Sequence, residues 1–113
     1  MAIIYKIFRA PEYAEFVTNG RTRGAPIDVA DGYVHLSTRD QVVETAAKHF
    51  AGEADLKLLG IEADDLGDAL KWEPSRGGAL FPHLYRELRV ADVAFEHDLP
   101  LADGHHNFDG LLT

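Results

Sequence analysis

Two short stretches carry the residue types that acid–base chemistry and ligand binding need. The first is "DGYVHLST", Asp31 to Thr38. Read as an extended strand, it sends Tyr33, His35 and Ser37 to one face and Val34 and Leu36 to the other. A histidine next to a hydroxyl on one face can act as a general base or hold a ligand. Ser37 and Thr38 also precede a helical pattern, and the free N–H groups of a helix N-terminus favour an anion. The same residues have a structural reading. One hydroxyl caps the helix, worth about 1 kcal/mol. An inward-facing His35 must then find a partner, because leaving a buried polar group unpaired costs roughly 1–3 kcal/mol. The second stretch is "FPHLY", Phe81 to Tyr85, in which Phe81, His83 and Tyr85 share a face when extended. His83 either contributes to a site or ties an edge segment to backbone carbonyls.

A third group, "WEPSRGG", offers Glu73 as a carboxylate and Arg76, in a glycine-rich turn, as a clamp for an anionic ligand. The solvent-facing reading of Glu73 and Arg76 stands beside this one, and Trp72 reads as core. His105 and His106 are adjacent, with only Asp103 and Asp109 nearby, so no metal site is expected. The nucleophile elbow, the dinucleotide-binding glycine motif and the phosphate-binding loop are all missing.

These residues need elements to position them. Ala2–Phe8 reads as a strand, with Ile3, Tyr5 and Ile7 on one face and Ile4, Lys6 and Phe8 on the other. "APEYAEFVTNG" reads as a short helix with Tyr13, Phe16 and Val17 as its apolar stripe, stopped at Asn19-Gly20. "RTRGAPIDVAD" reads as a loop, "GYVHLS" as the second strand. "RDQVVETAAKHF" has the spacing of a helix presenting Val42, Val43, Ala46, Ala47 and Phe50, with Thr38 and Gln41 spaced as a capping box. "DLKLLGIEA" is a third strand, "DDLGDAL" one helical turn, "ALKWE" a short strand. Pro82 confines "ALFPHLYREL" to an edge strand or irregular segment, and a last strand runs from about Val93 to Asp98. The order predicts an α+β domain over residues 1–101, with residues 102–113 as a loose tail.

Composition bounds the function. A chain of 113 residues with 46% apolar residues suits one domain with one ordinary core. It has no cysteine, which excludes disulfides, cysteine-held zinc and thiol nucleophiles. No leader or membrane span is evident, and a cytoplasmic location is expected. The net charge of −8 argues against general nucleic-acid or anionic-membrane binding, though not against a local site for one small anionic ligand.

Together, "DGYVHLST" followed by "VVETAAKHFAG", and "WEPSRGGALFPHLY", resemble the domain-of-unknown-function 952 family of small bacterial and plant proteins. The approximate family pattern is "iYHI…GFIHxST…fPHLYGPL", and the resemblance runs from Tyr5 to about Leu101. It implies an ADP-ribosyltransferase-like fold: a split, mixed or antiparallel sheet with a cleft and two main helices in the N-terminal half. It further implies a cleft that binds an NAD- or ADP-ribose-like nucleotide, with NAD as the candidate cofactor and transfer or hydrolysis as the reaction. On that basis His35 and His83 are the candidate catalytic residues, and Lys6, Ser37, Thr38, Arg76 and Tyr85 the candidate ligand-binding ones. The chain departs from the pattern twice. It has Lys6 where relatives favour histidine, and Arg86 where they favour glycine. The alternative is a non-catalytic domain whose His, Ser and Thr motifs serve only the fold.

Overall fold

The first strand, β1 (Ile3–Arg9), is buried on both faces, and the molecule is built around it. Ile4 and Phe8 enter one apolar cluster with Phe16, Val34, Leu59, Ile61 and Leu84. Tyr5 and Ile7 enter another with Val42, Ala46, Leu56, Leu58 and Leu99. Strand alternation alone accounts for this division, since successive side chains point to opposite faces. The structure is a computed structural model and describes residues 2–112, apart from the side chain of Arg76, on which one of the ligand-binding expectations falls.

After β1 come α1 (Ala10–Asn19), β2 (Arg21–Thr22), α2 (Pro26–Asp31), β3 (Val34–His35), β4 (Ser37–Thr38) and α3 (Arg39–His49). The second half holds β5 (Leu56–Glu62), β6 (Leu70–Pro74), β7 (Leu80–Leu84), β8 (Leu88–Arg89), β9 (Val93–Leu99), β10 (Leu101–Ala102) and β11 (His105–His106). Short 3₁₀ turns at Ala63–Ala69, Arg76–Gly78 and Val90–Asp92 link them. The fold is α+β. One antiparallel sheet has the order β4-β1-β5-β9 and another the order β3-β7-β6, with two small ribbons, β2-β8 and β10-β11.

The extended segment expected over "GYVHLS" is broken at Leu36 and divided between the two main sheets. Val34 and His35 pair with Leu84 and His83. Ser37 and Thr38 pair with Tyr5 and Ile4. One consequence shapes the site. β4 lies beside only two residues of β1, so from Lys6 to Arg9 the first strand has a described strand neighbour on one side only, β5.

Several expectations are corrected. The stretch "RTRGAPIDVAD" contains a helix, α2, because Pro26 opens it and the Asp28 carboxylate accepts the Ala25 N–H at 2.8 Å. Pro82 is not on an edge: β7 lies between β3 and β6. Its carbonyl accepts the Leu36 N–H at 3.0 Å. Its missing N–H faces the same side, so the pair with Leu36 keeps one bond and lacks the return bond, at the point where the pairing of β3 with β7 ends. Trp72 is 44% exposed. It sits on the β6-β7 hairpin, whose base closes on Leu70 and Leu84 while Pro74 and Leu80 are also exposed. Val17 and Val43 lie on the outer faces of their helices. The segment read as a loose tail pairs as β10-β11 and packs Phe108, Leu111 and Leu112 against the second cluster. His106 Nε2 donates to the Glu53 carbonyl at 2.8 Å, tying the ribbon down.

Candidate functional site

Where β1 lacks its second neighbour, a cavity of about 390 Å³ opens. The floor is β1, one wall is the start of α2, and the other is α3. Lys6, His35 and Ser37 all line it. Their meeting follows from the split at Leu36: His35 ends one sheet, Ser37 begins the other, and Lys6 is the first residue of β1 past the pairing. Ile7, Pro26, Val42 and Phe50 supply apolar wall, and Thr45 adds a hydroxyl 3.1 Å from that of Ser37. The size and the mixture of apolar wall with a few placed polar groups suit a small organic ligand.

The polar floor is organised by Asp28, whose side chain is fully buried. One carboxylate oxygen accepts the Lys6 ammonium at 2.7 Å and the Ala25 N–H at 2.8 Å. The other accepts the His35 backbone N–H at 3.0 Å and the His35 Nδ1. Burial alone pushes the Asp28 carboxyl up, but hydrogen bonds from His35 and the adjacent Lys6 charge outweigh it and hold it below its ordinary value. Lys6, itself buried, also donates to the His35 carbonyl at 3.0 Å. The remaining His35 nitrogen, Nε2, faces Asp31 at 3.1 Å, and the ring is about one-third exposed. Both nitrogens of His35 thus meet carboxylates of α2, which fixes the ring's orientation.

Asp28 was absent from the sequence-derived site. Its signal was present, however: "APID" places proline and an acid at helix-opening positions. What the sequence does not show is that this acid caps α2 and clamps two site residues at once.

His83 and Tyr85 do not line this cavity. They form a cluster with Tyr33 and Glu73 that His35 also joins, since His35 pairs with His83 and its ring lies 4.6 Å from that of Tyr33. Tyr33 stacks on His83 with ring centroids 4.2 Å apart and leans on Tyr85 at 5.1 Å. His83 Nδ1 lies 2.9 Å from Glu73 Oε1, which also accepts the Tyr85 hydroxyl at 2.6 Å. The Tyr85 bond, then that of His83, holds the Glu73 carboxyl below its ordinary value. The same bond pushes the Tyr85 hydroxyl up to about 12. His83 is buried, and its ring meets that of His35 edge-on at 5.4 Å, but it does not line the cavity. Tyr85 instead borders a smaller cavity of about 260 Å³ with Arg23 and Arg86. Arg86, the departure after "PHLY", is committed to Asp92 through bonds of 2.8 and 3.1 Å.

Thr38 is the N-cap of α3 and its N–H donates to Gln41 Oε1 at 3.0 Å. It does not line the large cavity. Among the described residues no group of three or more His, Asp or Glu could hold a metal ion, and no helix is long and apolar enough to cross a membrane.

Residues 7–95 match the family described as "Protein of unknown function (DUF952)". The chain belongs to that family. It is similar to protein CC0527 from Caulobacter crescentus, with 52% identity, 95% of each chain covered and a TM-score of 0.90 to its crystal structure. The solution structure of CC0527 gives 51% identity and a TM-score of 0.88 over 100% of this chain and 98% of that one. No curated protein matches. The DUF952 match covers β1 from Ile7, α2, the divided strand and the "FPHLY" strand, so it spans most of the cavity and the whole His83 cluster.

Proposed function

We propose that this DUF952 protein binds the ring end of a nucleotide of NAD or ADP-ribose type in the cavity floored by Lys6, His35 and Ser37. One observation carries the reading. Three polar residues from different elements converge on an apolar-walled cavity of about 390 Å³. The divided sheet with a gap at its seam is also what an ADP-ribosyltransferase-like fold would supply, and the reading extends to that fold. The activity that goes with it is transfer or hydrolysis of an ADP-ribosyl group, with His35 orienting the ligand. His83, away from the cavity, holds the neighbouring strand in place. Thr38 and Tyr85 stand back from the ligand for the same reason of position.

The test is a titration of the full chain with NAD and with ADP-ribose, followed by amide chemical shifts. Saturable shifts at Lys6, His35 and Ser37 are expected. No shifts there at millimolar ligand would refute the proposal.

A second reading, a protein whose polar motifs serve only the fold, draws on the four donors satisfied by Asp28 and on the His83–Glu73 bond. It predicts that His35→Ala and His83→Ala each lower the melting temperature by several degrees while no ligand perturbs the cavity amides.

A further inference from the structure

The ionisable groups at the cavity share one property: each cation whose contacts are described already meets a carboxylate. Lys6 lies 2.7 Å from Asp28. Arg9 holds Glu53 through bonds of 2.7 and 3.0 Å and lies 3.5 Å from Glu12. His35 lies between Asp28 and Asp31. The remaining ionisable lining residues are His49 on α3 and the phenol of Tyr5, uncharged at neutral pH. Two permanent cations therefore stand against four carboxylates, of which Asp28 lines the cavity and Glu12, Glu53 and Asp31 back the lining residues. Protonating both imidazoles brings the set to neutrality and never to a positive balance.

An anion entering this space would lose its water and find no cation to compensate it. The chain's net charge of −8 adds a repulsive field. A neutral ring meets hydroxyls and apolar wall. A cationic ring also feels the charge of Asp31, which is 44% exposed and lies 3.1 Å from the cavity-lining His35 ring. Resting on the reading of this cavity as a ligand site, we infer that it selects by charge. It takes a neutral or cationic ring compound and rejects an anionic one, so the phosphates of a nucleotide ligand stay outside. Lys6, one of the candidate ligand-binding residues, is neutralised in place by Asp28.

Benzamide, benzamidine and benzoate share one ring and differ in charge, so they isolate the effect. Each is titrated into the full chain while the amides of His35, Ser37 and Thr45 are followed. Benzamide and benzamidine are expected to give saturable shifts, with benzoate weaker by about tenfold or more, as one uncompensated charge at close range requires. Asp31→Asn is expected to raise benzoate affinity relative to benzamide by roughly threefold. Benzoate binding as well as benzamide, or better, overturns the charge selection and leaves the cavity standing as a ligand site. Silence from all three probes overturns the charge selection and the ring-binding cavity together.

Discussion

Replacing Asp28 with alanine tests the centre of this structure. Its side chain is fully buried, and each oxygen accepts two N–H donors. Alanine leaves the Lys6 ammonium, only 8% exposed, with the His35 carbonyl at 3.0 Å as its remaining described hydrogen-bond acceptor. Removing one partner of a buried ion pair costs about 3–5 kcal/mol, because the other charge is stranded. That is a large share of the roughly 5–15 kcal/mol that holds a domain together. For a chain of this size it corresponds to a melting temperature lower by about 12–20 °C. Asp28→Asn preserves volume but turns one acceptor into a donor, so nearly the same loss is expected. Lys6→Met, added to Asp28→Ala, removes the stranded charge and is expected to recover about 1–2 kcal/mol. Urea unfolding measures all four proteins, with an unchanged slope confirming that the unfolded states are comparable.

The same pair sets a pH dependence. The folded-state pKa of Asp28 lies below its unfolded value. In acid the unfolded chain therefore binds more protons, and stability falls as the pH falls. The contribution of Asp28 is complete above the ordinary carboxylate range and is lost as the pH drops through the lowered value. The difference between the native chain and Asp28→Ala should narrow toward about pH 3. A loss below about 1 kcal/mol at neutral pH, the size of an exposed ion pair, would refute the central role given to Asp28. So would a difference that does not narrow in acid.

Gly24 has φ +100°, and a Cβ there would overlap the Asp28 carboxylate. Gly24→Ala should cost more than about 1 kcal/mol in urea unfolding and should shift the His35 amide, while Gly20→Ala, with no atom near its Cβ position, should leave that amide in place. Ultraviolet titration of the tyrosines should show Tyr85 ionising near pH 12. Because the Glu73 bond is the main cause, Glu73→Gln should bring it back toward the ordinary value of about 10. Ending the chain after Pro100 removes Phe108, Leu111 and Leu112 from the second cluster. It should destabilise the protein by about 2–5 kcal/mol, the size of a large core truncation. A solvated tail would give almost no change.

Much was legible from the residues in order. Periodicity located β1, α1, α3, β5 and β9, because each buries a face and its apolar spacing must match its own repeat. The Thr38–Gln41 cap was readable because capping is decided within four residues. The two histidine motifs identified the family before any coordinate did. α2 was missed because its helix is six residues long and its anchor, Asp28, answers to Lys6 and His35, 22 and 7 residues away. The break at Leu36 could not be seen either, since an alternating run reads the same whether one sheet or two receives it. Pro82 looked like an edge residue because local chemistry cannot reveal that the neighbouring strand is interrupted opposite it. The sequence by itself thus determined the α+β class, the family and the residues with chemical potential. Only the tertiary structure decided that Lys6, His35 and Ser37 share a cavity, that His83 and Tyr85 stand behind His35 in an aromatic cluster outside it, and that the cavity's cations are already matched by carboxylates. The physical reason is that charge compensation and cavity shape depend on which strands stop short of one another, and long-range pairing sets that.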